Sequence, residues 1–241
     1  MSQTRWIFCS GMPRSGSTWA YNATKLLVAR RDDGRVVALY ADTPDLVDEA
    51  LIAPRRDGTT VVLKFHKASD RVFDMLATGA ALNVYTYRHP LQAIASWLEI
   101  FGFNLDGAIE VMRESLRNMD RYRELPGTLL VSMEEIVVDA RTATARLAHH
   151  LHIRLADPAL RDIASRTSIA RMAEIARSLE HWPDAALVDA GHSRYDPETH
   201  LHIGHITQGL ARDYRTTLSA EDEARCSDAF APWRAIFERW R

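Results

Sequence analysis

Over its first 135 residues the chain alternates short, continuously apolar, β-rich runs with amphipathic stretches, and this alternation restricts the fold more than any other feature. The runs are WIFCS (6–10), VVALY (36–40), VVLKF (61–65), LNVYTY (82–87) and TLLVSM (128–133). Strands that are apolar on both faces belong to a parallel sheet covered on both sides. The intervening stretches predict helices over 17–30, 44–52, 70–77, 91–101 and 106–122, with Pro90 in a first turn and Asp70 near an N-cap as start signals. The expected fold class is therefore α/β, a doubly wound core in which a central parallel β-sheet is flanked by helices. After residue 140 the pattern becomes mostly helical and ends in a helix from about Ala220 onward. With 46% apolar residues and no linker-like stretch, residues 1–241 read as a single domain.

Thirty basic and 32 acidic residues leave a formal charge of −2, too little to create a general field for nucleic acid or an anionic membrane. Any anion site has to be local. Cys9 and Cys226 lie far apart and neither belongs to a C-x-x-C, which argues against a disulfide framework or a cysteine zinc site and favours a reducing cytoplasm. No run approaches the ~18 apolar residues of a membrane span, and the first residues lack the apolar core of a secretion signal, so a soluble chain is expected.

Between the first run and the first helix lies Gly11-Met12-Pro13-Arg14-Ser15-Gly16-Ser17-Thr18. A triphosphate-binding loop reads G-x-x-x-x-G-K-[ST]; here Ser17 stands in the lysine's place and the nearest cation is Arg14. Two glycines permit tight backbone conformations, and a helix starting near Ser17 turns free N–H groups and its positive dipole end toward an anion. Lys64 and His66 alternate at the end of a strand and so project to one side. Arg88 ends another strand, Pro90 begins a helix and Ser96 follows, a set able to grip a second phosphate. Trp19, just past the loop, is placed either to stack on a purine or to fill the core.

Together these residues resemble the sulfotransferases that use 3′-phosphoadenosine 5′-phosphosulfate (PAPS), whose loop is P-K-S-G-T-T-W. Pro13-Arg14-Ser15-Gly16-Ser17-Thr18-Trp19 matches it with arginine for lysine, Lys64-Phe65-His66 resembles the family's K-x-H, and Arg88 with Ser96 resembles its 3′-phosphate pair. The resemblance implies a P-loop, sulfotransferase-like fold and in-line sulfuryl transfer from PAPS to a hydroxyl, with an amine as the second choice. It further implies catalytic roles for His66 (general base), Lys64 and Arg14, donor binding by Arg14, Ser15, Gly16, Ser17, Thr18, Trp19, Arg88 and Ser96, and no metal requirement. The acceptor would be a small-molecule, glycan or lipid hydroxyl, with no nucleic acid and no stable membrane insertion.

The sequence departs from the family at His89, which offers a second base, and at Ser132-Met133-Glu134-Glu135, where a tyrosine is usual. The late basic loop has only a loose counterpart in 205–215, with Arg212 and Arg215 as candidates. Segment 181–209 holds five of the ten histidines with little periodicity, as a lid or an ordered surface excursion does. Acceptor walls are expected from 102–125 and 181–205, with Phe101, Phe103, Trp182 and Tyr195. Three rival readings remain: a kinase or NTPase, disfavoured by Ser17 and by the lack of an evident strand-end aspartate for magnesium; an inactive nucleotide-binding module; and a metal site at His200, His202 and His205.

Overall fold

Five strands, all parallel, form the central sheet in the order β2-β3-β1-β4-β5. The computed structural model describes residues 4–31, 35–102, 104–190, 193–204, 206 and 213–237. The strands are β1 (Arg5–Gly11), β2 (Val36–Ala41), β3 (Thr60–Phe65), β4 (Ala81–Tyr87) and β5 (Thr128–Ser132), each within a residue of its apolar run. Helices α1 (Ser17–Arg31), α2 (Pro44–Ile52), α3 (Asp70–Ala77), α4 (Pro90–Phe101) and α5 (Leu105–Arg123) fill the connections. Their starts follow from local chemistry. Thr43 caps α2 by accepting from the Leu46 N–H, Asn104 caps α5 by accepting from Gly107, and Pro44 and Pro90 stand where a helix has no need of their missing N–H. The N-cap of α3 is Ser69 rather than Asp70, which is its first helical residue.

Alternate residues of each strand feed two cores. Trp6, Phe8, Leu63 and Phe65 pack with α2, α3, α4 and α5, whereas Ile7, Cys9 and Val62 pack with α1. The second face is completed by α6 (Met133–Val138), α7 (Ala140–His150), α8 (Asp157–Arg166) and α9 (Ile169–Ser178). A short antiparallel pair, β6 (Val188–Asp189) and β7 (Arg194–Tyr195), lies in the histidine-rich segment and was not legible in its sequence. The expected continuous final helix is broken: α10 (Ala220–Ala229) ends before Phe230, and α11 (Arg234–Phe237) resumes after a 3-10 turn containing Pro232. Proline has no N–H to donate and its ring clashes with the preceding turn. Cys9 and Cys226 are both free and buried, and among the described residues no helix is long and apolar enough to cross a membrane.

The strand order places the site. From β1 the chain builds outward to β2 and β3 on one side, then crosses to β4 and β5 on the other. Helix α1 therefore leaves β1 toward one face and α4 leaves β4 toward the opposite face. A crevice opens between them at the carboxyl ends of the strands, where open α/β sheets bind ligands. Gly11 closes the floor of this crevice, because a Cβ there would lie 2.2 Å from Thr86 Oγ1 and 2.9 Å from the Thr86 carbonyl oxygen. Gly11→Ala is expected to destabilise the protein by about 1–3 kcal/mol through overpacking. Urea unfolding measures it; an unchanged midpoint would show that the β1–β4 contact yields without strain.

Candidate functional site

The loop between β1 and α1 is folded by its own hydrogen bonds. The Met12 N–H donates to the Thr86 carbonyl at 2.9 Å, and the buried Ser15 hydroxyl lies 2.5 Å from the Met12 carbonyl oxygen and 2.9 Å from both Thr86 oxygens. Arg14 and Gly16 take left-handed backbone conformations, with φ of 63° and 92°. At Gly16 a Cβ would stand 2.9 Å from Ile136 Cδ1 and 3.0 Å from Met133 Sδ, so glycine suits this position for both reasons. The chain then enters α1, whose first-turn N–H groups have no intrahelical partner.

The loop opens on a cavity of about 480 Å3. All ten residues singled out in the sequence line it: Arg14, Ser15, Gly16, Ser17, Thr18, Trp19, Lys64, His66, Arg88 and Ser96. Arg14 Nε donates to Ser96 Oγ at 3.1 Å, so the loop cation spans the crevice to α4. Arg88 holds the other side of that bridge, donating to the Arg14 carbonyl at 3.5 Å and to Gln92 Oε1 at 3.2 Å. Lys64, 3% exposed, donates to Thr18 Oγ1 at 2.9 Å. His66 Nδ1 stands 2.8 Å from the Gly11 carbonyl oxygen. A carbonyl only accepts, so the imidazole proton sits on Nδ1 and Nε2 keeps its lone pair.

Three desolvated cations, Arg14, Lys64 and Arg88, line the cavity. Burial pushes Lys64 down to about 7, with Arg14 adding to the shift. Arg14 is lowered to about 10 by burial and then by Arg88, and Arg88 is itself lowered by burial against the pull of Glu134. His66 falls to about 4 through burial, then through Lys64, while its bond to Gly11 opposes the shift. Neither Lys64 nor Arg88 has an ion-pair partner among the described residues. Desolvated cations of this kind are stabilised by a bound anion.

Several expectations change in detail. The Ser15 hydroxyl is consumed inside the loop, which leaves its N–H as the group it can offer an anion. Trp19 is 2% exposed and belongs to the α1-side core while also lining the cavity. His89 stands outside the cavity, its ring parallel to Tyr214 at 6.0 Å and edge-on to Phe237 at 5.6 Å, so it offers no second base. Trp182 is exposed and lines no part of the cavity, and no described residue of 102–125 does so. Phe103, His192, His205 and Arg212 fall outside the described residues, as does the side chain of Phe101. Arg215 is exposed and pairs with Asp213 and Glu223.

In segment 181–209, residues 194–204 are docked on α1: Asn22 Nδ2 donates to the Thr199 carbonyl at 2.8 Å, and Lys25 to that of Glu198. His200 is buried among Tyr21, Tyr40 and Tyr195, with ring centroids 5.0, 5.0 and 5.4 Å away, and this burial lowers its pKa to about 3. No group of three or more metal-ligating side chains occurs among the described residues. Tyr195 and His202 reach the cavity.

Reasoning from sequence missed Tyr40, Asp42, Met133, Ile169 and Met172, which are among the further residues of the walls. Asp42, just past β2, also corrects the expectation that no strand-end aspartate faces the site. Only its position at the end of an apolar run hinted at this, and the remaining four look like ordinary core residues in the sequence.

No protein-family model and no curated protein sequence matches the chain. Solved structures do. Retinol dehydratase in complex with androsterone and the inactive cofactor PAP superposes with a TM-score of 0.66 at 14% identity, over 94% of this chain and 80% of that one. Mouse sulfotransferase SULT7A1 complexed with PAP gives 0.65 at 15% identity, over 95% and 84%. Retinol dehydratase with retinol and PAP gives 0.65 at 14% identity, over 96% and 82%. The chain has the sulfotransferase fold.

The hydrogen bond to Gly11 makes a spectroscopic prediction. His66 is expected to remain neutral, with its proton on Nδ1, from pH 8 down to about 5 in the ligand-free protein. Because His66 and His200 bind protons less readily folded than unfolded, stability should fall as the pH drops below about 6.5. Nitrogen-15 NMR of the imidazoles tests this; a His66 ring titrating near its ordinary value would contradict the assigned geometry.

Proposed function

We propose that the protein transfers the sulfuryl group of PAPS to a hydroxyl acceptor. The observation that carries this reading is the convergence of three desolvated cations, Arg14, Lys64 and Arg88, on a left-handed loop that has Ser17 where a triphosphate loop has lysine. The donor set fits an adenosine bisphosphate. The N–H groups of residues 15–18, with Arg14 and the Thr18 hydroxyl, would hold the 5′ end, and Arg88 with Ser96 the 3′-phosphate. Trp19, Met133, Ile169 and Met172 supply apolar cavity wall on which a purine would pack.

When bound, PAPS supplies an electrophilic sulfuryl group on a phosphate leaving group. His66 Nε2 receives the acceptor's hydroxyl proton as the oxygen attacks sulfur, and the Nδ1–H bond to Gly11 steadies the imidazolium that results. Lys64 and Arg14 face the charge that builds on the leaving oxygen as its bond to sulfur breaks. In the empty site burial disfavours the charged form of Lys64, and a bound anion favours it, so the cation is strongest when the donor is in place. The same anion raises the basicity of His66 from its depressed value.

Two measurements test the proposal. Adenosine 3′,5′-bisphosphate (PAP) should bind roughly 10²- to 10⁴-fold more tightly than ADP or ATP, because losing about two charge-assisted hydrogen bonds at ~1.5–3 kcal/mol each removes that much affinity. Arg88→Ala should erase most of the preference. Calorimetric titration with and without magnesium decides, and magnesium-dependent ATP binding as tight as PAP would favour the kinase reading instead. Separately, His66→Ala should lower labelled-sulfuryl transfer by roughly 10²- to 10⁴-fold and leave PAP affinity little changed. A variant retaining turnover near wild type would remove the base role from His66.

A further inference from the structure

We infer that the acceptor carries a protonated amine near the hydroxyl that receives the sulfuryl group, and that Asp42 with Tyr40 and Tyr195 recognises it. The inference rests on the sulfotransferase reading for which end of the cavity is the acceptor's. Ala41 pairs with Phe65 in the parallel register of β2 and β3, so Asp42 and His66 are the first residues past the carboxyl ends of two neighbouring strands. Both line the cavity. The Asp42 carboxylate is exposed to it and has no hydrogen bond or ion pair among the described residues.

Tyr40 and Tyr195 line the same cavity as that carboxylate, and after burial the charge of Asp42 contributes to raising the pKa of both phenols. His200 wedges between the two tyrosine rings and holds them in place. An exposed carboxylate close to aromatic rings suits an ammonium group; Lys64 Nζ, 5.4 Å from the Tyr40 centroid, already lies over one of these rings, which leaves Tyr195 as the ring for the ligand's cation. The electrostatics point the same way: with Arg14, Lys64 and Arg88 offset by the phosphates and sulfate of a bound donor, Asp42 is left as a charge on the cavity wall without a partner among the described residues. An anionic acceptor is repelled there, and a neutral one makes no use of Asp42. Amino alcohols, amino sugars and aminoalkyl phenols present a hydroxyl and an ammonium within this reach.

Asp42 also precedes α2, where a carboxylate can serve the helix dipole alone. The test separates these roles. Tyramine and glucosamine are each compared with their N-acetyl derivatives by calorimetric titration, with and without saturating PAP, on wild type and Asp42→Asn, with melting temperature and PAP affinity reporting that the variant folds. We expect the charged member of each pair to bind about tenfold more tightly to the wild type, and the ratio to collapse toward one in Asp42→Asn. The inference is overturned by equal binding of charged and acetylated members, by no binding of any ammonium compound, or by a preference that survives Asp42→Asn while only the melting temperature drops. Failure to bind PAP with an intact, Asp42-dependent ammonium preference would strike the donor reading alone.

Discussion

The donor end of the cavity depends on the backbone contact between β1 and β4 at Gly11 and Thr86. Thr86 accepts the Met12 N–H and the Ser15 hydroxyl, and the missing side chain at Gly11 lets the two strands end close enough for both bonds. The loop is thereby turned back at its base, and the left-handed residues Arg14 and Gly16 finish the curve into α1. The same contact serves chemistry at a distance, because the carbonyl that receives the His66 imidazole proton belongs to Gly11. One close approach therefore sets the shape of the anion cradle and the tautomer of the base.

Around that contact the fold concentrates positive charge where it has the least water. The cations come from three separate strand ends: Arg14 after β1, Lys64 in β3 and Arg88 after β4. Their convergence follows from strand order, since β1 lies between β3 and β4. Burial lowers the proton affinity of each, and the neighbouring cations lower Arg14 and Lys64 further. Such a site is unfavourable when empty and becomes favourable when an anion arrives, so stability is exchanged locally for affinity.

The rest of the cavity is built differently. Its walls come from the edge of β2, from α2 through Leu46, and from the segment around Tyr195, which is fastened to α1 through Asn22 and Lys25. His200 sits at the centre with a left-handed backbone (φ 55°), its N–H bonded to the Asp196 carbonyl at 2.8 Å. His200, one of three histidines weighed as metal ligands, is packed here as the aromatic filler between two tyrosines that line the cavity.

The five strands, their helices and the ten cavity residues were legible in the sequence because each rests on a local rule. Apolar runs need a buried sheet, a proline starts a helix, a glycine permits a left-handed turn, and residues two apart on a strand face one way. The break at Pro232 obeys the same kind of rule, and only the continuous helical pattern around it hid the stop. Tertiary structure alone decided the rest. That Arg14 reaches Ser96, that Ser15 spends its hydroxyl inward, that His89 turns to Tyr214 and away from the cavity, and that Asp42 and His66 line one cavity are relations between segments far apart in the chain. No local pattern encodes them, because they arise from strand order and from which face each helix covers, and those are settled only when the two cores are packed.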